Sequence, residues 1–242
     1  MQKHAYRPDH LLDKHWEQKH RTPKYSQVTR IPNRIFTFFN LGAPEPFRFW
    51  HYLCLRSMYD VNHPEDLVVI GGVEPIGEWW EHAHRFARFE HAEPVTSIFG
   101  RILAHRAHRS DVMRLQRLID RGGIYLDLDT ICVRSVSSLL GHRAVMGHQC
   151  PDGLCNAVIL SVPGNPFLLE WLEEYRSFDG SWCNHSVFVP WTVSRRQHLS
   201  GCLTILPRAA FFDPSYDPDG ISKMHDQDVN FPGHIHTIFG TR

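Results

Sequence analysis

Two carboxylates one residue apart, Asp127 and Asp129, stand at the end of an apolar run, Ile124-Tyr125-Leu126-Asp127-Leu128-Asp129. In an extended chain successive side chains alternate. Leu126 and Leu128 would then turn to a core while Asp127 and Asp129 share the opposite face. A carboxylate in apolar surroundings is costly unless it is paired or holds a metal ion. The pair therefore predicts a site for a hard divalent cation, Mn²⁺ or Mg²⁺. Such ions take oxygen ligands, and Mg²⁺ tends to use one or two carboxylates together with substrate phosphates. A diphosphate would complete the shell, and the ion would neutralise charge on it as it leaves. Alone, a DxD is too short to decide the matter, because two unrelated Asp residues at a solvated strand end make the same pattern.

The elements that must position the pair are legible around it. Val112, Leu115, Leu118 and Ile119 recur at the spacing of one helix face. Ser110 is a suitable N-cap for that helix. Gly122 and Gly123 stop it, since glycine accepts the left-handed backbone that ends a helix. Asp111 in the first turn suits the helix dipole, and Arg114 follows one turn later. Upstream, residues 31–40 predict a buried strand, 47–59 a helix and 66–72 a second strand. That order is a βαβ unit with parallel pairing. A helix is expected over 79–89, further strands over 144–147, 156–161 and 203–206, and a helix opening at Pro163-Gly164-Asn165-Pro166. Residues 179–193 read as irregular and 207–242 as loop. The alternation predicts an α/β fold with a mostly parallel central sheet, whose ligands bind at the carboxyl ends of the strands. Asp127 and Asp129 fall at such an end. Residues 1–30 are expected to form a polar tail and 31–242 a single domain.

The chain has 242 residues, 42% hydrophobic and 21% charged, with 26 basic and 26 acidic side chains. It is long enough for a sizeable core, and a zero net charge offers no field for nucleic acid. Its 18 His residues add charge below about pH 6.5. Six Cys without a CxxC pair predict reduced, mostly buried thiols. A minority arrangement would join Cys150 to Cys155 across the intervening turn or use His148 to hold a metal. No apolar run approaches the ~20 residues of a membrane span. With no signal segment, the expectation is a cytoplasmic protein, with peripheral membrane contact left open.

Taken together, Ser110-Asp111, Arg114, Gly122-Gly123, Tyr125, Asp127 and Asp129 form the pattern SD-x₂-R-x₇-GG-x-Y-x-D-x-D. This resembles the DXD-containing sugar transferases of glycosyltransferase family 32, which include initiating α-1,6-mannosyltransferases and capsular polysaccharide enzymes. The resemblance extends over residues 31–167. Residues 31–39, with Phe36 and Thr37, look like the family's opening strand beneath the nucleotide base. Asn156-Ala157 and Pro163–Phe167 look like its NA…PGHPF segment, with Asn165 where His is usual. The resemblance implies a GT-A fold, which is a Rossmann-like nucleotide-sugar-binding sheet. It implies a UDP- or GDP-hexose donor, a hydroxyl acceptor on a glycan, lipid-linked or protein substrate, and retention of anomeric configuration. Asp129 would bind the metal directly and Asp127 through water, or Asp127 would contact the ribose. Asp111 would receive hydroxyls of the donor sugar, Arg114 would pair with Asp111 or the diphosphate, and Tyr125 would pack near the base. Two departures stand out. Phe188-Val189-Pro190-Trp191 keeps only the Pro of the family's Thr-Gly-Pro. The C-terminal His234-Ile235-His236 lacks the Ser-Trp that follows the family's ligand His. His236 is the favoured third metal ligand, ahead of His234 and His225.

Two rival readings share the motif. A haloacid-dehalogenase-type phosphatase also runs an apolar strand into DxD, but it needs a downstream Lys and a further acidic pair. Here only Lys223 follows, with Asp226 and Asp228 close behind it. A degenerate transferase domain that binds sugar nucleotides without turning them over would fit the altered acceptor half.

Overall fold

A computed structural model describes residues 28–42, 44–214, 218–224 and 235–237 of the chain. The expected tail at 1–30 and the candidates His225 and His234 therefore lie almost wholly outside the described residues.

The strands are β1 (Arg34–Phe38), β2 (Asp66–Gly71), β3 (Arg88–His91), β4 (Ser97–Ile98), β5 (Arg101–Ile102), β6 (Gly123–Leu126), β7 (Thr130–Cys132), β8 (Ala144–Cys150), β9 (Gly153–Ser161), β10 (Thr204–Leu206) and β11 (Ile235–Thr237). The α-helices are α1 (Phe49–Asn62), α2 (Glu78–Ala83), α3 (Arg106–Arg121), α4 (Pro166–Glu173), α5 (Val189–Ser194) and α6 (Pro218–Met224). Seven strands form one sheet in the order β10-β8-β9-β6-β1-β2-β3. Four of its pairings are parallel, and the two that involve β9 are antiparallel. The fold is therefore α/β with a mostly parallel central sheet.

Alternation along the strands builds a core on each face. Ile35 of β1 with Ile124 and Leu126 of β6 joins one cluster, covered by Cys54, Leu55 and Met58 of α1. Phe36 and Tyr125 point the other way, into a second cluster with Val112, Leu115, Leu118 and Ile119 of α3 and Phe167, Leu168, Trp171 and Leu172 of α4. Each residue step inverts the face, so the two buried sets interleave in one run of sequence.

The junction between α3 and β6 requires both glycines. Gly122 has φ +63°, and a Cβ there would meet Pro163 at 2.6 Å and the Ser161 carbonyl oxygen at 2.8 Å. Gly123 has φ +111°, and its Cβ would sit 2.7 Å from the Arg34 carbonyl oxygen. The close approach lets β6 pair between β1 and β9 immediately after the helix ends.

Several local expectations are corrected. The central helix begins at Arg106, four residues before Ser110, because the His105 ring accepts from the Ala107 amide and caps it. Ser110 is buried inside the helix instead. The helix expected over 79–89 ends at Ala83, and Arg88–His91 becomes the edge strand β3. Arg88 there makes a two-pronged contact with Asp66 of β2, at 2.9 and 2.7 Å, and Glu90 receives Arg117 of α3. Backbone pairing with β2 holds this segment extended against its helical appearance, with these ion pairs beside it. The stretch at 179–193 contains a π-helical turn over Asn184–Phe188 and then α5. All six cysteines are free thiols, Cys150 and Cys155 included. Among the described residues no helix is long and apolar enough to cross a membrane.

Candidate active site

Beta6 ends at Leu126, so Asp127 and Asp129 do not continue an alternating strand as the sequence suggests. They occupy the tight turn between β6 and β7. The Thr130 amide and hydroxyl both donate to the Asp127 carbonyl, at 3.2 and 2.7 Å, and close that turn. The Asp127 amide donates to the Ala157 carbonyl of β9 at 2.9 Å. The turn is thereby fixed to the centre of the sheet, and both carboxylates leave its carboxyl edge, where open α/β sheets place their ligands.

Arg114 organises the groups behind the turn. Its side chain is 5% exposed. Nε donates to the Ser110 carbonyl at 3.1 Å, Nη2 to the Ser110 hydroxyl at 2.8 Å, and Nη1 to the Asn156 carbonyl at 2.7 Å. The guanidinium lies 3.2 Å from Asp111 and 3.3 Å from Asp127, and its carbon stands 4.3 Å from the centre of the Tyr125 ring. One cation is thus shared by two carboxylates and one aromatic face, which uses the planar fork that lysine lacks. Arg114 meets Asp111, one of the partners the sequence offers it, and Asp127 besides.

Asp111 is buried, and its Oδ1 accepts from the Asn156 amide nitrogen at 2.8 Å. Burial raises its carboxyl to a pKa of about 6, against the opposing pull of Arg114. Tyr125 is buried between Phe36 and Phe38, with ring centroids 5.4 and 5.6 Å away. Burial holds its phenol well above the ordinary range, so it remains a donor, and its hydroxyl donates to Asp127 Oδ1.

Of these groups Arg114, Tyr125 and Asp127 reach a cavity of about 280 Å³, while Asp111 and Asn156 stand behind them, outside its lining. Asp127, Leu128, Asp129, Arg114 and Tyr125 line that side. Phe38 at the end of β1 and Phe39, Asn40 and Leu41 after it form another side with Trp50 and His51 of α1. Arg106, Ala107 and Ser110 of α3 close the space between, and Arg106 forms an ion pair with Glu45. Phe36 and Thr37 are 4% and 0% exposed and are not in the lining of the cavity. The next residues along the chain, from Phe38 onward, reach it.

Beta11 pairs antiparallel with β7 and sets the His236 backbone opposite Ile131, two residues past Asp129. Among the described residues no group of three His, Cys, Asp or Glu is placed to hold a metal ion. Sequence reasoning missed His51 and the Glu45–Arg106 pair as wall residues, and it gave Asn156 no role beside Asp111. His51 carries no local motif, and Asn156 meets Asp111 across a separation of 45 residues.

Residues 63–146 match the model of the glycosyltransferase sugar-binding region containing the DXD motif. The chain is 33% identical over 193 residues to Glucan organizing enzyme 1 of Cryptococcus neoformans var. grubii, across 75% of this chain and 52% of that protein. It is 36% identical over 83 residues to Mannosyl phosphorylinositol ceramide synthase SUR1 of Saccharomyces cerevisiae, across 34% of this chain and 20% of that one. Among solved structures, the apo-form glycosyltransferase GlyE of Streptococcus pneumoniae superposes with a TM-score of 0.56 at 11% identity, covering 87% of this chain and 55% of that chain. At that identity the likeness concerns the fold. The chain spans about half the length of the first of these curated relatives and a fifth of the second.

Proposed function

We propose, from the premise that this chain belongs to the DXD-containing glycosyltransferases and has their GT-A fold, that it moves a hexose from a nucleotide-diphosphate sugar to a hydroxyl acceptor with the help of a divalent cation. The observation that carries this reading is the shared Arg114. It joins Asp111 and Asp127 at 3.2 and 3.3 Å beside the Asp129 turn, on the wall of a cavity whose other side is aromatic. A nucleotide diphosphate needs those two surfaces, one for a flat base and one for a charged tail.

Two carboxylates in a single turn fit Mn²⁺ or Mg²⁺ in a shell completed by diphosphate oxygens. Asp129 would hold the ion directly. Asp127 already accepts from Tyr125 and faces Arg114, so it suits a water-bridged or ribose contact. His236 is the proposed third protein ligand, supported by the pairing of β11 with β7. The bound ion would supply charge neutralisation at the departing diphosphate.

The chain's own residues do the rest. Asn156 and Arg114 engage Asp111 Oδ1, which leaves Oδ2 to accept a hydroxyl of the donor sugar. Arg114 holds Asp111 and Asp127 in a fixed relation, so the sugar and the diphosphate are oriented together. Tyr125 supports the base side through its packing against Phe38, with Phe36 packed against both rings. Retention is the outcome implied by the resemblance to family 32, and the acceptor is a hydroxyl of a glycan, lipid-linked or protein substrate.

The test is to incubate the protein with UDP-hexoses and GDP-hexoses, with and without Mn²⁺, and to measure released nucleotide. Metal-dependent release from one nucleotide class is expected, and Asp129→Ala should abolish it in a variant that still folds. Binding without turnover under every condition would leave a sugar-nucleotide-binding module. The anomer of the product, read by NMR, tests retention.

A further inference from the structure

His51 faces the cavity from α1 in a chemically defined state. It occupies the third position of the helix, and its Nδ1 accepts the Arg48 backbone amide at 3.0 Å. A backbone amide can only donate, so Nδ1 carries no proton. Burial, with Arg48 nearby, lowers the imidazole pKa to about 4, which keeps the ring neutral at physiological pH. A neutral ring with a bare Nδ1 must carry its hydrogen on Nε2. That nitrogen is the one ring atom left to meet a ligand, and it presents a fixed donor. The ring stands among Phe39, Phe47 and Trp50, with centroids 5.0, 5.2 and 5.3 Å away. Flat apolar neighbours and an uncharged donor suit a nucleobase edge, whereas the cations of the cavity, Arg106 and Arg114, lie on α3, its carboxylates Asp127 and Asp129 lie in the turn after β6, and Glu45 is held by Arg106.

We propose that His51 is a specificity-determining residue whose Nε2–H donates to a carbonyl oxygen of the donor's base. The cavity then selects nucleotides whose base edge offers that carbonyl, uracil or guanine, over adenine, whose exocyclic amine would oppose donor to donor. The inference rests on the nucleotide-sugar reading of the cavity and deepens it. A buried donor facing another donor leaves both unsatisfied, and this mismatch discriminates more strongly than a missing contact would.

The capping role of His51 supplies its own control. Glu and Gln are the ordinary residues at this third position, because either can accept the N-cap amide. His51→Gln therefore keeps the cap acceptor and also keeps an N–H for the base. His51→Glu keeps the cap acceptor and presents no donor. The experiment measures Kd for UDP, GDP and ADP, each with Mn²⁺, by titration calorimetry on the wild-type chain and both variants. The quantity read is the ratio between bases, so that any general repulsion of the diphosphate by Glu cancels.

The wild type is expected to prefer UDP or GDP over ADP by about tenfold or more, the size of one hydrogen-bond mismatch. His51→Gln should hold that ratio within about twofold, and His51→Glu should erase or invert it. With the hexose donor varied, the loss in His51→Glu should appear chiefly in KM rather than in kcat, as for a contact made equally in ground and transition states. An unchanged base ratio in a His51→Glu variant that still binds nucleotide overturns the assignment to His51 and leaves the transferase reading standing. Failure of the wild type to bind any nucleoside diphosphate overturns both.

Discussion

At the scale of single residues the site is governed by a shared cation. Arg114 is nearly inaccessible, and its removal would leave Asp111 and Asp127 facing each other without compensation. Arg114→Met is expected to cost about 3–5 kcal/mol of stability, the usual result of stripping one partner from a buried charged cluster. Denaturant unfolding of the wild type and variant measures it. Arg114→Lys should recover only part of the loss, because an ammonium cannot span Ser110, Asn156 and both carboxylates at once.

Asp111 carries the clearest pH signature. Its folded pKa of about 6 lies above the 3.8 of a free side chain. Between those values the folded protein binds more protons than the unfolded chain. The contribution of this group to stability is therefore fully present below about pH 4 and is lost as pH rises through 6. Activity runs the other way, since a protonated Asp111 loses charge and acceptor capacity. Donor turnover should fall as pH drops below about 6, and Asp111→Asn should remove that limb together with most of the rate. A profile of kcat/KM from pH 5 to 8 checks it, provided that metal loading is verified at each point.

At the scale of elements, the two-glycine junction decides where the catalytic turn lies. Gly122 and Gly123 sit where a side chain would press on Ser161, Pro163 or Arg34 backbone within 2.8 Å. Gly122→Ala and Gly123→Ala should each lower stability by about 1–3 kcal/mol, as measured by thermal unfolding. They should also reduce turnover more than distant destabilising changes do, because β6 ends in the Asp127 turn. The same element scale explains the corrected helix start. Ser110 has the residue type of an N-cap, yet its hydroxyl is used inside the helix, by Arg114 at 2.8 Å and Tyr125 at 3.2 Å. His105 caps in its place. Cap propensities describe local preference, and here a tertiary partner outweighs them.

At the scale of the whole molecule, burial separates structural thiols from accessible ones. Cys54, Cys132 and Cys155 are buried, and burial pushes Cys132 and Cys155 up to about 12. Cys150, Cys183 and Cys202 are partly exposed. Brief treatment of the native protein with iodoacetamide near pH 8 should modify those three first, and the buried set only after unfolding, which peptide mass spectrometry resolves.

What could be learned from the chain in order was whatever repeats locally. The 3.6-residue stripe of α3, the glycine stop and the apolar strand before Asp127 are neighbours in sequence, and their periodicity reports their faces directly. The alternation of such segments along the chain indicated the α/β class and the mostly parallel sheet, and the resemblance to family 32 implied that Asp111, Arg114 and the Asp127–Asp129 pair share one site. Tertiary structure decided what those residues touch. Asn156 reaches Asp111 across 45 residues, Arg114 reaches its carbonyl across 42, and His51 enters the wall because α1 packs beside the end of β1. Only the folded sheet shows that Phe36 and Thr37 are buried outside the cavity's lining, and that Asp127 and Asp129 sit in a turn rather than along a strand. The physical reason is the same throughout. Periodicity is a property of one segment, whereas the partner of a buried charge or donor is chosen by whichever distant segment can satisfy it.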